Sequence, residues 1–209
     1  MAVPLTLPYA HLNLRRNPFG ELERAERAEL AEVEVDELVE CVRRPGVAVQ
    51  LLGGSGCGKT THLLAIHRRF ASAPYVKVID GTRARVPFGH PVHVDDAHLL
   101  ASSERRRLLH RPASFVLTTQ CDLSEEIARS GLRSVVVRPH QLLSADLLER
   151  VFARRVEAAR RGPGPVPRLA RSTVEALIER WGPDVRSMER ALYEALARLE
   201  ECGYVRVPT

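Results

Sequence analysis

The chain has 209 residues, enough for one full domain and a small appendage. An apolar fraction of 44% is that of a globular protein with a sizeable core, and the net charge of +5 permits nucleic-acid contact without demanding it. No apolar run reaches transmembrane length, Met1 to Leu14 lacks the order of a signal peptide, and Cys41, Cys57, Cys121 and Cys202 form no C-x-x-C pair. The expectation is therefore a reduced, cytoplasmic protein without membrane insertion, zinc or a disulfide framework.

Residues 1 to about 20 read as extended and loop-like, ending in Asn17-Pro18-Phe19-Gly20. Glu21 to about Val35 reads as a charged helix, and Asp36 to Arg44 as a second, closed by Pro45-Gly46. Val47 to Leu52 is a buried strand. A helix is expected from about Lys59 to Ala71. Further strands are expected at 75–79, 92–96, 114–119 and 134–137, with helices near 102–110 and 124–129 between the later ones. Apolar runs alternating with helices predict an α/β fold, a mostly parallel five-stranded sheet covered on both faces. From Ser144 the pattern is purely helical. Ser144 and Asp184 are expected caps, Ser172-Thr173-Val174-Glu175 an expected capping box, and Gly162 to Pro167 a breaker. The expected divisions are 1–45, 46–140 and 141–209, the last a small helical lid.

The stretch Gly53-Gly54-Ser55-Gly56-Cys57-Gly58-Lys59-Thr60 fits G-x-x-x-x-G-K-[ST] and sits between an expected strand and helix. Glycines let the backbone curl so that successive N–H groups converge, and the helix N-terminus, including Thr61, adds partial positive charge. Lys59 is expected on the β- and γ-phosphates and Thr60 on Mg²⁺. Lys59 and Lys77 are the only lysines amid a large excess of arginine, and a compact ammonium fits between phosphate oxygens where a planar guanidinium does not.

Val92-His93-Val94-Asp95-Asp96 reads as a short apolar strand ending in two carboxylates, with Asp95 expected on Mg²⁺ and Asp96 on the attacking water. His93 is unusual in mid-strand. His90, His93 and His98 match no compact metal spacing, and none is assigned as a ligand. Thr119 or Gln120, after the next strand, would reach the γ-phosphate or the water. Arg186, in the first turn of the last helix, would point toward the phosphates. Each also has a plain structural reading: a polar strand end, a surface arginine.

Together these motifs resemble the AAA+ ATPases, over about residues 40 to 200. The greatest similarity is to the clade of the bacterial replication initiator and its truncated paralogues, with a likeness also to transposition and secretion ATPases. The resemblance implies ATP binding and hydrolysis with Mg²⁺, a nucleotide-coupled lid, and homo-oligomers or hetero-oligomers with another ATPase subunit. It also implies an arginine finger in trans, for which Arg133 is preferred to Arg129. Asn17-Pro18-Phe19 resembles the segment that encloses adenine in such proteins; Phe19 is otherwise a core anchor.

Departures from that pattern are also visible. Too few residues separate the second and third strands for the usual helix, and no helix-turn-helix follows the lid within the 209 residues. The leading expectation is an ATPase switch that remodels or assembles a protein or protein–DNA complex. The alternative is a nucleotide-sensing adaptor that hydrolyses almost nothing. A small-molecule kinase ranks below both, because the lid follows the sheet.

Overall fold

A computed structural model describes residues 8–70 and 72–207. The chain divides into two compact units. One runs from Arg24 to Leu142; the other combines the N-terminal stretch up to Glu23 with the chain from Leu143 onward.

The first unit is built on strands β1 (Val47–Leu52), β2 (Tyr75–Lys77), β3 (Val92–Asp95), β4 (Phe115–Thr119) and β5 (Arg133–Val137), in the order β2-β3-β4-β1-β5. All neighbouring pairs are parallel. Parallel neighbours cannot be joined by tight turns, so helices cross over and bury both faces. The fold class is α/β, with a parallel five-stranded sheet covered by helices on both faces.

Side chains alternate across the sheet. Val47, Val49 and Leu51 of β1 pack on one face with Leu63, Leu64 and Ile66 of helix α3 (Lys59–His67) and with Val39 and Val42 of α2 (Asp36–Val42). Ala48, Val94, Phe115 and Leu117 pack on the other face with Leu108 and Leu109 of α4 (Ser102–Leu109) and Ile127 of α5 (Ser124–Arg129). Each fully buried Leu or Phe is worth about 1.5–3 kcal/mol over exposure, so these two layers carry the unit. Gln50, buried mid-strand, is satisfied by Ser124 Oγ (2.9 Å), Ser134 Oγ (2.8 Å) and the Leu123 amide (2.8 Å).

Several boundaries differ from the sequence expectation. The helix expected over 21–35 is only α1 (Arg24–Glu29). Beyond it Ala31, Val33 and Val35 all turn to the core. That period of two belongs to extended chain, not to a helix. Helix α3 ends at His67, and its expected limit, Ala71, lies outside the described residues, as does the Met1–Leu7 part of the expected N-terminal loop. The connection from β2 to β3 carries no helix; Ala84 and Val86 pack it directly onto the core.

The second unit contains α6 (Ala145–Ala159), α7 (Arg171–Trp181), α8 (Val185–Ala197) and two short parallel strands, β6 (Arg168–Leu169) and β7 (Tyr204–Val205). Ser144 caps α6 through the Leu147 amide (3.2 Å), and Asp184 caps α8 through the Ser187 amide (3.2 Å). The expected capping box does not form. Helix α7 already begins at Arg171, and Glu175 accepts from Arg171 Nε (3.0 Å) instead. The strand pair was not expected, since two residues per strand give no periodic signal.

Leu12, Leu14 and Phe19 enter the core of the helical unit with Leu148, Phe152, Leu177 and Leu192. Arg155, buried on α6, donates to Pro18 O (2.7 Å) and Gly20 O (2.5 Å) and pairs with Glu189. The expected first division therefore splits: residues 8–23 pack with the C-terminal helices, and α1 and α2 pack with the sheet. Among the described residues no helix is long and apolar enough to cross a membrane.

Candidate phosphate and metal site

Strand β1 delivers the chain to the P-loop at the C-terminal edge of the sheet. Gly53 N donates to Thr119 O (3.1 Å), which ties the loop's start to the end of β4. Gly56 and Gly58 have φ of 78° and 86°, a region costly for residues with a Cβ. Gly53 is constrained by space: a Cβ there would lie 2.7 Å from Cys57 Sγ and 3.4 Å from His140 Nδ1.

Gly58 is the N-cap of α3 and supplies no side-chain cap, and no acidic residue occupies the first turn. The first amides of α3 therefore point their donors and dipole at the loop's concavity, the arrangement that favours an anion. Lys59, only 7% exposed, donates from Nζ to Gly53 O (2.9 Å) and Gly54 O (2.5 Å). Its ammonium is thus held inside the curl of the loop by two carbonyls. Ser55 and Gly54 lie exposed on the rim, while Cys57 is buried beneath it.

The two expected acids differ in environment. Asp95, fully buried, receives Thr60 Oγ1 (3.0 and 3.2 Å to its two oxygens), Thr118 Oγ1 (2.6 Å) and Tyr75 OH (3.3 Å). Burial, and then the Asp95 charge, push the Tyr75 phenol up, so it stays a donor. Asp96 is half-buried and lies in the left-handed region at φ 60°. Aspartate tolerates that conformation better than most residues. The turn aims Asp96 away from the path of β3, and its amide donates to Thr118 Oγ1 (2.7 Å).

Thr118 therefore links both acids: it donates to the carboxylate of one and accepts from the amide of the next. Sequence reasoning placed the polar reader of β4 at Thr119 or Gln120. The Thr119 hydroxyl is instead engaged in a turn, donating to Cys121 O (2.7 Å), and Gln120 is exposed. The missed signal is register. Leu117 lies abreast of Val94 in β4 and β3, so Thr118 comes abreast of Asp95.

His98 was also passed over. Burial lowers its affinity for a proton; Asp96 acts in the other direction, and Lys59 then adds to the lowering. His98 sits in the short turn Ala97–Leu99 that Asp96 opens, with its Nδ1 buried and without a hydrogen-bond partner.

The remaining expected residues stand apart. Arg133 opens β5 rather than preceding it; it lies abreast of Val47, at the sheet edge opposite the P-loop, and is exposed. Arg129 closes α5 and pairs with Glu125. Arg186 is in the first turn of α8, as expected, and belongs to the helical unit. Phe19 is 4% exposed and packs edge-to-face on Phe152 at 5.8 Å, a core anchor of that same unit.

The Thr60 hydroxyl and Asp95 carboxylate form a pair of hard oxygen donors suited to Mg²⁺, which binds through few protein ligands and keeps water and phosphate for the rest. Among the described residues no cluster of three His, Cys, Asp or Glu is placed to hold a metal by itself.

No protein-family model matches the chain, and no curated protein matches it. A crystal structure of NtrX from Brucella abortus in complex with ATP is similar at 17% identity, with a TM-score of 0.44. The match covers 87% of this chain and 53% of that one, so the chain spans about half of that protein's length.

Proposed function

We propose that the protein is an AAA+ type ATPase of the replication-initiator clade. It binds ATP at the P-loop and uses hydrolysis to switch a protein or protein–DNA complex. The observation that carries this reading is the meeting of Lys59, Thr60, Asp95 and Asp96 at one edge of a parallel sheet, with Thr118 fixing both acids. The amides of Gly54 to Thr61 would wrap the phosphates. Thr60 and Asp95 would hold Mg²⁺, which when bound neutralises charge on the β- and γ-phosphates. Lys59 would exchange its two carbonyl partners for phosphate oxygens. Asp96, free of the direct bonds that occupy Asp95 in the buried layer, is the carboxylate suited to orient water.

Arg186 is proposed as a cation acting on the γ-phosphate, and Arg133 or Arg129 as the finger offered to a neighbouring copy or a related ATPase subunit. A cytoplasmic location fits the four free cysteines. The geometry at Thr119 and Gln120 argues against either as the phosphate reader; Thr118 takes that place, acting through the two acids. The adaptor alternative predicts binding with negligible turnover.

The test is Mg²⁺-dependent ATP hydrolysis and equilibrium binding of ATP for the wild type, Lys59→Ala and Asp96→Asn. Lys59→Ala should lose binding, and Asp96→Asn should bind normally while turnover falls about 10²-fold or more. Equal turnover in wild type and Lys59→Ala would end the ATPase reading. Tight binding without turnover in the wild type would select the adaptor.

A further inference from the structure

We propose that a cleft between α1 and α3 is a binding site for a small organic monocarboxylate, an apolar body carrying a single negative charge. The inference does not rest on the nucleotide site.

The two helices line the cleft from opposite sides. Helix α1 contributes Arg24, Ala25, Ala28 and Glu29, which share one face at spacings i, i+1, i+4 and i+5. Helix α3 contributes Leu64, His67 and its C-cap Arg68, at i, i+3 and i+4. The volume is about 380 Å³, at the small end of ligand sites. Ala25, Ala28 and Leu64 present only hydrocarbon, so the surface between the charges suits an apolar body. A space of this size admits a metabolite, not a folded partner.

Both arginines keep their donors open. The Arg24 guanidinium lies over the Tyr75 ring, 4.8 Å from its centroid. A cation–π contact orders the side chain without supplying an acceptor for its N–H groups. Among the described residues the Arg24 side chain makes no hydrogen bond or ion pair. Arg68 also has no side-chain partner among them, although its neighbour Arg69 pairs with Asp36 at 2.8 Å. The Nδ1 of His67 is buried and unpartnered. Burial first, and then the Arg24 charge, lower the hold of that ring on a proton, so near pH 7 it is neutral. Glu29, the acid of the cleft, is already engaged.

Two guanidinium groups against one carboxylate leave a single positive charge in surplus. One carboxylate balances it, and the planar guanidinium fork matches a carboxylate in shape. A phosphate monoester brings about 1.5–2 negative charges, more than the cleft can answer.

The experiment is an NMR titration of the ¹⁵N-labelled full chain without ATP or Mg²⁺. The probes are 3-phenylpropionate, its neutral amide, phenyl phosphate and inorganic phosphate. Binding is read on the backbone amides of α1, so occupancy of the P-loop does not count. The carboxylate should bind with a Kd on the order of 1 mM, as its size allows. The amide should bind at least about 5-fold more weakly. Phenyl phosphate should also be weaker than the carboxylate, and inorganic phosphate should leave α1 unmoved. Arg24→Ala and Arg68→Ala should each weaken the carboxylate about 3- to 30-fold. Ala28→Leu, which fills the floor of the cleft, should abolish the shifts. Thermal unfolding checks each variant, and Arg68 is exposed, so its replacement leaves the core untouched. Three results would overturn the site: no saturable shift on α1 up to about 20 mM carboxylate, the amide binding as tightly as the acid, or both arginine variants titrating as wild type. Tighter binding of phenyl phosphate than of the carboxylate would overturn the choice of a monocarboxylate.

Discussion

Replacing Thr118 with valine removes one hydroxyl and keeps the shape of the side chain. That hydroxyl is fully buried, donates to Asp95 at 2.6 Å and accepts from the Asp96 amide at 2.7 Å. A hydrogen bond to a charged group contributes about 1.5–3 kcal/mol, and an orphaned buried N–H costs about 1–3 kcal/mol. The two do not simply add. Asp95 keeps Thr60 and Tyr75 as donors, and Asp96 is partly open to water. A loss of about 3 kcal/mol is expected, or roughly 6–12 °C in Tm for a chain of this size. Urea and thermal unfolding read the stability. Titration of ATP turnover with Mg²⁺ reads the second consequence, a higher Mg²⁺ requirement, because Asp95 Oδ1 loses the shorter of its two hydrogen bonds. Thr118→Ser should recover most of both. A valine variant within about 0.5 kcal/mol of wild type, with an unchanged Mg²⁺ titration, would refute the link between the two acids; differences that small are typical of substitutions that touch nothing important.

Two further outcomes follow from buried contacts. Gly53→Ala places a Cβ 2.7 Å from Cys57 Sγ but 4.0 Å from Cys57 Cβ. It should cost about 1–3 kcal/mol and weaken ATP binding, and Cys57→Ala in the same chain should restore both, since the clash is with the sulfur alone. Additive losses in the double variant would contradict this. His93 is buried in β3 against His67, with ring centroids 4.8 Å apart, and both its nitrogens lack hydrogen-bond partners. Burial first, and then the neighbouring His67, push it down to about 3. The folded chain then refuses a proton that the unfolded chain accepts below about pH 6.5. Stability should therefore fall as pH drops through 6 and 5, by about 1.4 kcal/mol per unit, and continue to fall until pH nears the folded value. His93→Phe should flatten that decline in urea unfolding and hold stability at pH 7.5; parallel pH profiles for variant and wild type would rule the account out.

Much of the molecule follows from local pattern. Lys59 and Thr60 stand at fixed spacing from Gly53 and Gly58, so the curl of the loop and the helix behind it are written in consecutive residues. The apolar runs at 47–52, 92–95 and 115–119 announce buried parallel strands in the same way, as Ser144 and Asp184 announce helix starts. The charged stretch 21–35 misled, because its few apolar residues fit two periods and the core chose the extended one for Ala31, Val33 and Val35.

What residue order alone left open is lateral. Whether Asp95 lies beside Thr60, and whether Thr118 or Thr119 meets it, depends on which strands are neighbours and in what register. Backbone hydrogen bonds between β3 and β4 set that register over more than twenty intervening residues. A shift of one residue would turn Thr118 to the other face and bring Thr119 inward. The same holds for Phe19, whose neighbours Phe152 and Leu192 are supplied by helices far along the chain. Contacts closed by distant segments have no local sequence signature, so only the folded chain decides them.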